Sequence, residues 1–273
     1  MATLLDSIFQ AEQACDGYIS ISQVLTYLRC PESYRRKYVL REPEPPSVAL
    51  IEGGAHHRAL EQANQYQIDL GEPIDVIEHE GVFAETFTDA VQEAGTELTW
   101  GEGETADIII DRGRKLIQAY HEHVAGRLEP KDVEVRIDAQ IGSTPMLGYV
   151  DVIAHIDGGE VPVVVDFKVC KRAKSKSDLA NDLQLALYSW ALGIERVAFV
   201  SFCKTKVPKV ELVAATIPPA QQAWAVRVVQ EVVAALQAGT FPPTDPNSWI
   251  CSERFCGHWG RCRGCAAASV AAA

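Results

Sequence analysis

The 273-residue chain has no apolar run near the roughly 20 residues that cross a bilayer, which excludes a helical membrane protein. Asp6, Glu12 and Asp16 stand where a secretory signal would carry basic residues and then an apolar stretch, so a cytoplasmic address is expected. No Gly-x4-Gly-Lys-Ser/Thr loop is present, and with it goes a P-loop motor of the chain's own. Internal repeats are missing too. Positive charge is short: 25 Lys and Arg face 37 Asp and Glu, for a net charge of −12. Phosphate repels such a surface, which argues against a coat protein that binds nucleic acid indifferently. It leaves room for local basic tracks.

Cysteine, by contrast, is plentiful. Eight in a cytosolic chain point to metal rather than disulfides. Four crowd the C-terminal region, Cys251, Cys256, Cys262 and Cys265, with His258 among them. A zinc site built from Cys and His is one reading of that cluster. Cys203, inside an apolar run, reads as a buried hydrophobe.

With 47% hydrophobic residues the chain can bury a sizeable core. Ser20 is placed to cap a helix over 23–30, and Pro31 restarts a short basic and aromatic helix. A stiff Pro-rich linker over 41–46 precedes a helix from Val48 to about Gln67, and the acidic stretch 74–128 is mostly helical. Strands are expected over 133–141, 146–156 and 161–169, then a helix over 178–192 ended by Gly193. Two more strands, over 196–202 and 207–216, and a helix over 218–236 follow. The fold class is therefore α/β: a mixed sheet flanked by helices, with a helical insertion before the sheet.

Chemistry concentrates in Gly148-Tyr-Val-Asp151 and Val163-Val-Val-Asp166-Phe-Lys168. Side chains on a strand alternate faces, so Asp166 and Lys168 point the same way. A hairpin turning near Asp157-Gly158-Gly159 brings Asp151 beside them. Two carboxylates and an ammonium at one spot can hold a divalent metal and stabilise a charged transition state, which is the simplest phosphodiester-cleaving chemistry. His57, four residues after Gly53, is a further candidate ligand, with His56 competing for the role. Glu134 is either another acid at the site or a charge on a strand face. Gln184 and Tyr188, four apart on a helix, share one face and could bond a phosphate or order the site. Two basic tracks could guide phosphate: Arg29, Arg35, Arg36, Lys37 and Arg41, and, directly after the motif, Lys171, Arg172, Lys174 and Lys176. Each could equally be a solvated face.

This ordered set resembles the PD-(D/E)XK nucleases of the RecB type, with a restriction-endonuclease-like core. The resemblance implies that Asp151, Asp166 and His57 bind Mg²⁺ or Mn²⁺, that Lys168 orients or activates the attacking water, and that Gln184 and Tyr188 bind substrate. One branch of the family, which includes the AddB nuclease subunit and the CRISPR-associated adaptation nucleases, carries a 4Fe-4S cluster held by one early and three late cysteines. Cys30, Cys251, Cys256 and Cys262 match those positions, although the four residues between Cys251 and Cys256 exceed the usual two, so Cys265 is a substitute ligand. A cluster there would staple the N- and C-terminal regions together.

On this resemblance the chain is one nuclease domain over 1–273. It comprises N-terminal helices over 20–46, a helical region over 47–130, a catalytic α/β core over 131–240 and a cysteine cluster over 241–265. The implied function is a DNA exonuclease similar to those of bacteriophages, working in a bacterium or an infected host cell on ends or single strands. A helicase, a recombination protein or a second copy would be its partner. A CRISPR-adaptation nuclease and a non-catalytic DNA-end-binding protein are the alternatives.

Overall fold

A computed structural model describes residues 17–42, 44, 46–95 and 98–262. The described chain divides into two compact units. The first is drawn from residues 46–138 and 148–225, the second from 17–45, 139–147 and 226–262. Among the described residues no helix is long and apolar enough to cross a membrane.

A short strand β1 (Ile19–Ser20) leads into α1 (Ile21–Arg29), α2 (Pro31–Tyr34) and one wider helical turn over Arg35–Val39. Three long helices follow: α3 (Val48–Leu70), α4 (Val76–Ala94) and α5 (Ala106–His123). Then come β2 (Leu128–Ile141), β3 (Thr144–Ile156), β4 (Val163–Cys170), α6 (Lys176–Ala180), α7 (Leu183–Leu192), β5 (Arg196–Cys203), β6 (Lys209–Thr216) and α8 (Pro219–Gln237). The sheet is six-stranded and mixed, in the order β1-β3-β4-β5-β6 with β2 also on β3. β3 and β4 run antiparallel, β4 and β5 parallel, β5 and β6 antiparallel.

Local chemistry sets these boundaries. Ser20 accepts from the Gln23 amide while Gln23 answers the Ser20 amide, a reciprocal cap that starts α1. Ser47, Asp75 and Thr105 cap α3, α4 and α5 one way, their side chains accepting from first-turn amides. The helix expected over 178–192 is broken in two, because Asp182 leaves the helix to accept from the Leu185 amide and so begins α7. Aspartate is a stronger cap than an interior residue, and the cap wins here. The turn after β3 falls where expected, with Asp157 at φ +54° and Gly158 at φ +70°.

Two apolar layers fill the first unit. Val163, Val165 and Phe167 of β4 pack with Leu60, Tyr120, Val152, Ala198 and Phe202. Val48, Ile51 and Ala55 of α3 pack with Phe83 and Phe87 of α4 and with Ile109 and Ile117 of α5. Here α4 and α5 approach closely because residue 113 is glycine: a Cβ there would stand 1.9 Å from the Phe83 ring. Burying a Phe of this kind contributes about 1.5–3 kcal/mol. In the second unit the aromatic rings of Tyr27, Tyr34, Tyr38 and Phe241 form the packed centre.

Candidate active site

The β3–β4 register pairs Ile153 with Val164 and Val152 with Val165, so one more step sets Asp151 opposite Asp166. Asp151 Oδ2 accepts from the Phe167 amide at 2.7 Å. On β4, Asp166 and Lys168 alternate with the core residues Val165 and Phe167. Lys168 Nζ lies 2.8 Å from Asp166 Oδ2 and donates to Gln184 Oε1 at 3.1 Å. Helix α3 contributes His57, whose Nδ1 is 3.3 Å from Asp151 Oδ1. The rivalry between neighbouring histidines is resolved by helix geometry: one residue of rotation sends His56 into the core against Phe83 instead.

Gln184 and Tyr188 share one face of α7, as their spacing requires. Gln184 Nε2 donates to Tyr188 Oη at 2.8 Å, and Tyr188 Oη donates to the Tyr149 carbonyl at 2.5 Å. A continuous relay therefore runs from the main chain of β3 through Tyr188 and Gln184 to the Lys168 ammonium. The Tyr149 carbonyl could not be foreseen, since a main-chain oxygen carries no side-chain signature.

Burial and charge shape the protonation of this group. Burial alone would depress His57, but the charge and hydrogen bond of Asp151 lift it to about 9. Asp151, against the pull of its own burial, is held below the usual carboxylate range by His57, by Lys168 and by the Phe167 amide. Asp166 is 2% exposed, and that burial, together with the Asp151 charge, raises it to about 6. Glu134 carries a backbone φ of +48°, uncommon for a side chain of its type. Although the residue is exposed at the surface, its carboxyl is pushed up to about 7 by partial desolvation and by the charges of Asp151 and Glu61, which places it in the electrostatic field of the site.

The donor set suits a hard divalent cation. Asp166 Oδ2 is buried and, although near the ammonium, has no hydrogen bond of its own. Such an oxygen is a natural cation ligand. His57, protonated at neutral pH beside Asp151, would have to give up its proton to join. Among the described residues no three His, Cys, Asp or Glu groups are gathered tightly enough to hold one ion as they stand.

The basic tracks fare differently. Lys171 and Arg172 follow β4 as exposed residues, and Arg172 pairs loosely with Asp178 at 3.4 Å. No hydrogen bond or ion pair among the described residues joins either to the carboxylates. In the N-terminal track, Arg35 and Arg36 are engaged by Glu32, and Arg36 also by Glu42.

Four of the cysteines meet in the second unit. Cys30, Cys251, Cys256 and Cys262 line a single cavity, with Glu32, Arg36 and Thr244. Burial opposes ionisation of Cys30, but hydrogen bonds from Thr244, Ser33 and Glu32 overcome it and lower the thiol's pKa. His258 also lines the cavity, buried, with neither ring nitrogen hydrogen-bonded. Cys265 lies outside the described residues. Direct bonds tie the early and late segments of this unit: Tyr27 Oη to the Thr240 carbonyl at 2.7 Å, Thr244 Oγ1 to the Arg29 carbonyl at 3.0 Å, and Arg36 Nη2 to the Arg261 carbonyl at 2.5 Å.

The family model of the PD-(D/E)XK nuclease superfamily matches residues 18–269. The chain belongs to that superfamily. Membership makes it a phosphodiester hydrolase of DNA by class, and such nucleases generally use Mg²⁺ or Mn²⁺. Among solved structures, a "Putative exonuclease" from Eubacterium rectale is similar at 15% identity with a TM-score of 0.56, over 89% of this chain and 88% of that one. At that identity the likeness shows the fold alone. A protein described as SSO0001 aligns over 90% of this chain and 96% of its own at 14% identity, with a TM-score of 0.37, too low to carry an argument. No curated protein matches the chain.

Proposed function

We propose that this chain is a metal-dependent exonuclease that hydrolyses phosphodiester bonds at DNA ends, with Asp151, Asp166, Lys168 and His57 as its working residues. The observation that carries the reading is the convergence of two carboxylates, an ammonium and an imidazole from three elements, α3, β3 and β4. A divalent ion held by Asp151, Asp166 and His57 would polarise the phosphate and lower the pKa of a water. Lys168, fixed by Gln184, offsets negative charge growing on the phosphate. Tyr188 and Gln184 act here by holding the lysine. Lys171 and Arg172, exposed beyond the strand end, would meet the DNA backbone. The name of the Eubacterium rectale protein favours action at ends over internal cutting.

The four cysteines around one cavity support a 4Fe-4S cluster as a second, structural cofactor. A single zinc ion needs its ligands at about 2.0–2.3 Å around one point. Four thiols around one cavity match the ligand number of such a cluster, one for each iron.

The test is digestion of end-labelled linear and closed circular DNA with Mg²⁺, Mn²⁺ or EDTA, by wild type and Asp166→Ala. Metal-dependent loss of the linear form by wild type alone is expected. Loss of the circular form would replace the exonuclease by an endonuclease. Binding of ends without cleavage under every metal would replace the enzyme by an end-binding protein.

A further inference from the structure

Apart from the carboxylate site, the second unit displays a group of exposed aromatic rings. Trp249 is 71% exposed, Phe255 51% and Trp259 37%, all within one short segment. Exposed large aromatics scattered singly need no explanation, but a group of them marks an interaction surface. These rings are also organised. Trp249 and Phe255 meet edge to face, centroids 5.1 Å apart and planes at 84°, while both residues stay largely exposed. Arg254 places its guanidinium 5.3 Å from the Phe255 centroid.

The backbone beneath is pinned by tight turns. Cys251 N donates to the Ser248 carbonyl at 2.8 Å, Phe255 N to Ser252 at 3.0 Å, and Trp259 N to Cys256 at 2.9 Å. The Gly257 amide donates to Glu44 Oε1 at 3.1 Å. The rings are thus held in place before any partner arrives, which reduces the ordering cost of binding.

Charge selects the partner. Arg254 stands exposed beside the rings, in a chain whose superfamily acts on DNA. An aromatic group beside an exposed arginine has the chemistry that stacks unpaired bases while attracting their phosphates. Duplex DNA keeps its bases stacked on each other and offers a face to such rings only at its two ends.

We propose that Trp249 and Phe255, with Arg254, form a stacking platform for single-stranded DNA. The proposal deepens the nuclease reading and rests on DNA being the substrate, but it concerns binding and not cleavage.

Binding of fluorescein-labelled (dT)20 and of a blunt 20-base-pair duplex, followed by anisotropy in EDTA so that nothing is cut, tests it. Each ring removed is expected to weaken (dT)20 binding by at least about fivefold, so Trp249→Ala/Phe255→Ala should lose more than either single change. Duplex binding should move less than about twofold. Trp249→Tyr, which keeps a flat ring, should recover most of the loss, whereas a variant that merely misfolds would not be rescued in this way. The proposal is overturned if the double variant binds (dT)20 as wild type does, or if single- and double-stranded DNA weaken alike. It is also overturned if wild type sediments as a dimer that the double variant splits, which would make the patch a contact between copies. A chain that cuts DNA but shows no ring dependence fails here only. A chain that shows the ring dependence but never cuts fails only the catalytic reading.

Discussion

Acid should loosen the helical part of the first unit through one side chain, His79. It is completely buried on α4, with Tyr120 and His121 of α5 and His56 of α3 facing it. Its Nδ1 is 3.0 Å from His121 Nε2, and its own Nε2 has no hydrogen-bond partner. Burial, reinforced by the charge of His121, depresses the imidazole to about 3. In the unfolded chain the same group titrates near 6.5. Between those values the unfolded state binds a proton that the folded state refuses, so stability is full above about 6.5 and is lost as pH falls toward 3. From pH 7 to pH 5 the loss from this residue is about 2 kcal/mol. Urea unfolding of wild type and His79→Leu at pH 7, 6 and 5, followed by circular dichroism, measures it. The variant should start less stable, having lost the contact with His121, but its stability should fall by about 1–2 kcal/mol less over this interval. Parallel pH curves for the two proteins would refute the reasoning, because every other titrating group is common to both.

Three further changes probe the other buried polar groups. Tyr188→Phe removes both hydrogen bonds at the centre of the relay and should lower the rate of DNA digestion by roughly 10- to 100-fold while the cysteine region is untouched; a rate within twofold of wild type would show that Lys168 is held without it. Glu52 is buried and paired with both Arg112 and Lys204, each at 2.8–2.9 Å. Glu52→Ala leaves Lys204 without its carboxylate and Arg112 with Glu104 alone, and should cost about 3 kcal/mol, read from a urea midpoint. Cys262→Ala should abolish iron binding, measured by metal analysis of protein purified without oxygen, and lower the melting temperature; unchanged iron would remove the cluster assignment.

The carboxylate site was legible because its geometry follows from short-range rules. Strand alternation fixes Asp166 and Lys168 on one face, and a hairpin with Asp157 and Gly158 at its turn brings Asp151 across from them. The element order was readable for a similar reason, since caps such as Ser20 and C-terminal glycines such as Gly193 act locally. What escaped depends on partners distant in sequence. Nothing in the pattern says that His56 faces Phe83 while His57 faces Asp151, or that Gln184 turns toward Lys168. The positive φ of Glu134 leaves no mark in composition. Asp182 looked like an interior helix residue because the apolar periodicity runs through it, yet its side chain starts a second helix after the first has ended at Ala180.

The hairpin has a consequence for the order in which the molecule comes into being. Asp151 and the Phe167 amide it binds are 16 residues apart, so their loop can close within microseconds of leaving the ribosome. Tyr27 and Thr240 are separated by 213 residues, and Cys30 must wait as long for Cys251, Cys256 and Cys262. During synthesis at about 5–20 residues per second, Cys30 therefore spends on the order of ten seconds or more as a bare thiol in a growing chain. The two carboxylates can therefore meet long before the chain is finished, whereas the cysteine cavity is among the last features to be completed.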